Sequence, residues 1–95
     1  ALATQSDVFA KMISNVKEVR ARGAMVVLVT NAANDAETPL EKGICDEHLS
    51  TPAIRDEFAP FLAAVYLQLI AYYTSSYRGL DVDQPRNLAK SVTVE

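Results

Sequence analysis

The hydrophobic positions first form a helical stripe and then a continuous apolar run. Val8, Met12, Val16 and Val19 recur at spacings of four, four and three, with Phe9 and Ile13 widening the stripe. Lys11, Lys17, Glu18, Arg20 and Arg22 fill the opposite face. This pattern predicts an amphipathic helix over 6–22, half buried, with Ser6 as its cap and Asp7 at its positive end. Gly23 is placed to end it. The next residues, Met25-Val26-Val27-Leu28-Val29-Thr30, carry five apolar side chains in a row. Such a run predicts a strand covered on both faces, as in a parallel sheet. The opening Ala1-Leu2-Ala3-Thr4 reads as the end of an earlier strand whose start is missing. Strand end, helix and strand then make a βαβ crossover, and the chain is expected to be a piece of a longer protein.

The middle is less regular. Residues 31–43 are polar and read as a loop with a short turn near Pro39. Residues 46–50 are expected to form a short edge strand, broken by Thr51-Pro52. A second, longer helix is predicted over 59–78. Pro60 is tolerated only in a first turn, and Gly79 supplies the stop. Phe61, Leu62, Val65, Tyr66, Leu69, Ile70, Tyr73 and Tyr77 form a broad band, with Leu67 and Ala71 beside it. A helix apolar nearly all round should be largely covered. Two or three strands can hardly do that, so a missing part of the sheet or another subunit is expected to. The fold class is therefore α/β, a partial parallel sheet of two to three strands flanked by helices.

Composition narrows the function classes. Of 95 residues, 49% are hydrophobic and 22% charged, as in an ordinary globular protein. The formal net charge of −3 argues against nucleic acid or an anionic membrane as partner. No apolar window is long enough for a membrane span, and no charged region followed by an apolar core suggests a signal peptide. Cys45 is the one cysteine, so an intramolecular disulfide is impossible and a reducing cytoplasm fits. Its plain reading is a buried structural thiol. His48 is the one histidine and reads as structural, and a lone cysteine with a lone histidine makes no metal site. No phosphate-binding glycine loop is present. Tyr66, Tyr73 and Tyr77 lie on one helix face, which reads as core or interface.

The chemistry is concentrated in the last fifteen residues, DVDQPRNLAKSVTVE. Lys90 stands among small residues close to the end. An amine attacks a carbonyl only when unprotonated, and an ordinary lysine, with a pKa of about 10.4, is almost fully protonated at neutral pH. Taken alone, Lys90 reads as a solvated tail residue. Arg86 reads as half of an ion pair that pins the tail, with a carboxylate such as Glu95 or the chain terminus. Asp81 fits the turn after Gly79, and Asp83 a cap on a turn starting at Pro85.

This tail closely resembles the DVDxPRNLAKSVTVE ending of the isomerizing glutamine–fructose-6-phosphate aminotransferases, the glucosamine-6-phosphate synthases. The resemblance runs back through LQLIAYYTSSYRGL at 67–80 and KEVRARGA at 17–24, and is looser between Asn31 and Phe58. It implies the flavodoxin-like, three-layer fold of a sugar-isomerase (SIS) domain. Residues 1–80 would be the C-terminal half of the second such domain and 81–95 its active-site tail. It implies an enzyme making glucosamine 6-phosphate and glutamate from fructose 6-phosphate and glutamine, homodimeric and cytoplasmic, without metal or organic cofactor.

By the same resemblance Lys90 is the catalytic lysine that meets the open-chain sugar. The backbone of Ala89 contacts the substrate, and Arg86 lies in the tail that lines the ammonia path. His48 is not the family's catalytic histidine, which lies upstream. The glutaminase nucleophile, the loop that holds the sugar phosphate and the proton-moving glutamate would also precede Ala1, so the 95 residues alone are expected to be inactive. A sugar-phosphate-binding SIS module without catalysis is the alternative, although such a module has no need of the AKSVTVE ending. A dimerisation piece built on the long apolar helix is compatible with either.

Overall fold

A computed structural model describes residues 1–84. Strand β1 (Leu2–Ala3) leads through a 3-10 turn (Ser6–Val8) into helix α1 (Phe9–Ala21). Strand β2 (Val27–Asn31), helix α2 (Ala32–Glu37), strand β3 (Glu47–Thr51) and helix α3 (Ala59–Tyr77) follow. The strands form one parallel sheet in the order β1-β2-β3. Leu2 and Ala3 stand beside Val29 and Thr30, and Val27 to Asn31 run in step with Glu47 to Thr51. The α/β class and partial parallel sheet expected from the pattern are what forms. The chain divides into two compact units, Ala1–Ala64 and Val65–Glu95, and α3 begins in the first and continues in the second.

In the first unit the core lies on the α1 side of the sheet. Alternation along a strand sends Ala3, Leu28 and Thr30 to one face. Ala3 and Leu28 join Phe9 and Val16 of α1, together with Val26 and Ile44, while Met12, Ile13, Leu40 and Cys45 pack around them. The helical stripe is buried in its middle, while Val8 and Val19 at its ends are exposed. Cys45 is half buried against this core. Burial raises its thiol pKa above the usual value, and the Asp46 carboxylate beside it adds to the rise.

Both main helices end as their glycines foretell. After α1, Gly23 N–H donates to Arg20 O (2.9 Å) and Ala24 N–H to Val19 O (3.1 Å). After α3, Gly79 N–H donates to Ser76 O (3.0 Å) and Leu80 N–H to Ser75 O (2.8 Å). These are two Schellman motifs, and each needs a residue at positive φ, here Gly23 at +88° and Gly79 at +71°.

Three expectations need correction. The helix predicted over 6–22 starts later, because Ser6 does not cap it. The Ser6 N–H and O–H both go to Asp56 Oδ2, and the chain makes a 3-10 turn before α1. The strand predicted over 25–30 is shifted to Val27–Asn31, since Met25 stands 76% exposed before it. The loop predicted over 31–43 holds α2. Six residues are too few to show a helical period, but Asn31 caps them, its side chain accepting the Ala33 N–H (3.1 Å).

In the second unit α3 carries its apolar side chains in the open. Val65, Leu67, Leu69, Ile70, Tyr72, Tyr73 and Tyr77 are exposed, Tyr77 by 94%. Ala59 and Ala63, at the start of the helix in the first unit, are buried. Among the described residues no helix is long and apolar enough to cross a membrane.

Candidate functional site

Ligands of open parallel α/β sheets bind at the C-terminal ends of the strands, where the strand order reverses. The nominated residues Arg86, Ala89 and Lys90 lie outside the described residues, as does the Pro85 turn assigned to Asp83. The strand-end rim of the first unit is therefore the part of the site region that can be built from residues upward.

Three groups of side chains occupy this rim. Asn31 ends β2 and is fully buried. Its Oδ1 accepts the N–H groups of Ala33 and Ile54 (3.3 Å for the latter), and its Nδ2 donates to Ile54 O (2.6 Å). One side chain thus caps α2 and fastens the connection that leaves β3. Asp56 fastens the same connection at a second point. Its Oδ2 accepts from the Ser6 N–H (2.8 Å) and hydroxyl, and Gln5 Nε2 donates to its carbonyl (3.0 Å). The two Ser6 donors hold the Asp56 carboxyl below the ordinary carboxylate pKa, the hydroxyl contributing most.

The third group lies on the face of the sheet shared with Leu28. Asp35 Oδ2 accepts from the hydroxyls of Thr30 and Ser50, each at 2.7 Å. Nε2 of His48 lies 2.7 Å from the Thr30 hydroxyl oxygen and 3.7 Å from Asp35. Thr30 has one hydroxyl proton and gives it to Asp35, so the network assigns the His48 ring proton to Nε2, donating to Thr30. His48 is thus tied into the sheet, in keeping with its structural reading. At the opposite end of the strands, Asp46 accepts the Val26 N–H (2.6 Å) and pairs with Arg20 (2.6 Å). The backbone bond, then Arg20, lowers its pKa.

What this rim can do chemically is limited. Most of its polar groups bond one another, although Asp35 Oδ1 and the neighbouring Asn34 Nδ2 are buried without a hydrogen-bond partner; the order β1-β2-β3 contains no reversal, and the described residues contain no cluster of three metal-ligating side chains. It is a scaffold that sets the start of α3. Sequence reasoning missed Asn31, Asp35 and Asp56. An Asn directly after an apolar run and before two alanines is a legible cap signal, whereas the partner of Asp56 lies 50 residues away.

The beginning of α3 is thus fixed, and the last described turn points to the tail motif: Asp81 Oδ1 accepts the N–H groups of Asp83 (2.9 Å) and Gln84 (3.3 Å), immediately before PRNLAKSVTVE. Comparison with known proteins shows how far that motif's likeness extends. A glutamine–fructose-6-phosphate aminotransferase [isomerizing] of Caldanaerobacter subterraneus is 53% identical over 95 residues, all of this chain. The same-named proteins of Clostridium acetobutylicum and Methanosarcina acetivorans are 48% and 47% identical over 95 residues. The chain belongs with the isomerizing glutamine–fructose-6-phosphate aminotransferases. It spans about 15% of the length of each of these relatives. No family model matches the chain, and no solved structure matches it.

Proposed function

We propose that this chain is the C-terminal part of the second SIS domain of a glucosamine-6-phosphate synthase, with residues 81–95 as its active-site tail. The whole enzyme would convert fructose 6-phosphate and glutamine to glucosamine 6-phosphate and glutamate. The observation that carries this reading is identity of 53% across all 95 residues, with a tail that keeps the AKSVTVE ending. The parallel α/β scaffold is compatible with it.

In this reading Lys90 is the sugar-facing amine. It acts on the open-chain form of fructose 6-phosphate, where an unprotonated amine adds to the carbonyl and water leaves to give an imine. Ala89 contacts the sugar through its backbone. Arg86 pins the tail beside the ammonia path. The exposed apolar side chains of α3 supply a surface for the rest of the enzyme or a second subunit, which supports a homodimer; a cytoplasmic location belongs to the family reading alone. In this reading the 95-residue chain is inactive alone, because it spans about 15% of its relatives' length and carries one catalytic candidate, Lys90, of the several the reaction needs.

Borohydride reduction of the intact enzyme with fructose 6-phosphate tests the assignment. A reduced sugar adduct on Lys90, absent from Lys90→Ala, is expected. Lys90→Arg keeps the charge but cannot form the imine, so it too should lose activity. Full activity of Lys90→Ala, with no adduct in the wild type, would remove the role.

A further inference from the structure

A groove runs along α1 beside residues 34–41, wholly within the unit Ala1–Ala64. It has two lobes that share Phe9, Ala10 and Thr38 in their walls. The larger lobe, about 210 Å³, is mainly apolar and includes Ile13, Pro39 and Leu40. Lys17 and Glu41 also line it, and they pair with each other at 2.7 Å. The smaller lobe, about 100 Å³, is lined by Asn34 and Glu37. Together the lobes approach the volume of about 300 Å³ at which small-molecule sites begin, and an apolar wall with a few polar groups is the composition of such sites.

Asn34 decides what the groove can take. It is 6% exposed, and its Nδ2 is buried without a hydrogen-bond partner. A buried donor lacking an acceptor is costly, and the cost is recovered when an oxygen is supplied. The terminal torsion of an asparagine is soft, so the amide can turn its Nδ2 to an oxygen placed in the smaller lobe. Glu37 stands in the same lobe, and Lys17, the cation of the groove, is already paired with Glu41. A carboxylate or phosphate at Asn34 would therefore meet the like charge of Glu37, with no unpaired cation lining the groove to offset it. A carboxamide meets neither difficulty: its oxygen accepts from Asn34 Nδ2, and its amide N–H donates to the Glu37 carboxylate. We propose that this groove is a binding site for a small neutral carboxamide with an apolar body, the amide held by Asn34 and Glu37 and the body laid against Ile13, Pro39 and Leu40. The inference is independent of the function proposed above.

The test uses the intact protein and saturation-transfer NMR, with benzamide and benzoate as probes of similar size that differ in the amide and the charge. Benzamide is expected to receive saturation, and benzoate to bind at least about 10-fold more weakly. Ala10 is exposed and shared by both lobes, so Ala10→Trp should fill the groove and abolish the transfer to benzamide. Asn34→Leu keeps the side-chain volume but removes the donor, and it should weaken benzamide about 10-fold. Glu37 is exposed, and Glu37→Gln should narrow the preference for benzamide over benzoate about threefold. No transfer to benzamide, or a transfer that Ala10→Trp leaves unchanged, would overturn the site. Equal affinity for the two probes, or wild-type affinity for benzamide in Asn34→Leu, would overturn the carboxamide as its ligand. If Asn34→Leu fails to fold, Glu37→Gln decides in its place, and a preference it leaves unaltered counts against the carboxamide.

Discussion

The unit Ala1–Ala64 and the α3 residues after it satisfy their side chains in opposite ways. In the first, Leu28, Val29, Thr30 and Asn31 are buried almost completely, and the polar ones among them have partners within the unit. In the second, a run of large apolar side chains from Val65 to Tyr77 stands largely exposed. The difference teaches that burial in this chain follows from who supplies the partner. A β-strand flanked on both sides by hydrogen-bonded neighbours closes its own account of contacts, whereas a helix apolar all round requires surfaces on several sides.

The largest expected effect comes from breaking the self-satisfied region. Leu28→Ala removes a fully buried side chain from the centre of the core and should cost about 3 kcal/mol in urea unfolding of the 95-residue chain. Asn31→Ala leaves both backbone groups of Ile54 and the Ala33 N–H without their partner; a loss of about 2 kcal/mol is expected in the same measurement. Asn31→Asp keeps the cap but cannot donate to the Ile54 carbonyl, so its effect should show which of the two jobs dominates.

Acid should loosen the same region more gently. Asp46 and Asp56 have folded pKa values below their ordinary ones. Their contribution is therefore present above the unfolded carboxylate value of about 3.9 and is lost as pH falls below it toward the folded values. The midpoint of chemical unfolding should stay level from pH 7 to about pH 5 and decline below about pH 4. Asp46→Asn and Asp56→Asn should each flatten that decline, and a curve unaltered by both substitutions would contradict the assigned partners.

The smallest effect is expected in the exposed region, and there it sharpens the contrast. Leu69 is 47% exposed, so Leu69→Gln should alter the unfolding free energy of the 95-residue chain by no more than about 0.5 kcal/mol. The same substitution in the intact enzyme should lower its melting temperature clearly, because there the side chain is expected to be covered. Equal effects in the two settings would mean that the α3 surface has no partner.

The sequence pattern revealed those parts of the fold that rest on local rules. The stripe from Met12 to Val16, the apolar run that becomes β2 and the two terminating glycines were all readable, because period and positive φ are local properties. Helix α2 was not, since its six residues are shorter than two turns and only its Asn31 cap left a local signal. The bonds of Asp56 to Ser6 and of Asp35 to Ser50 were invisible because they join segments brought together by the sheet. For the site, the tail residues could be named from resemblance alone. The scaffold residues that set the start of α3 required coordinates.

Cys45 turns the core into something that can be timed. Its thiol is half buried, and burial together with the neighbouring Asp46 keeps it protonated at neutral pH. Alkylating reagents attack the thiolate, so modification at neutral pH is slowed by the raised pKa and quickens when local opening lowers it. The rate at which a maleimide marks Cys45 therefore reports on the packing around that one residue at the edge of the core, with no added label site.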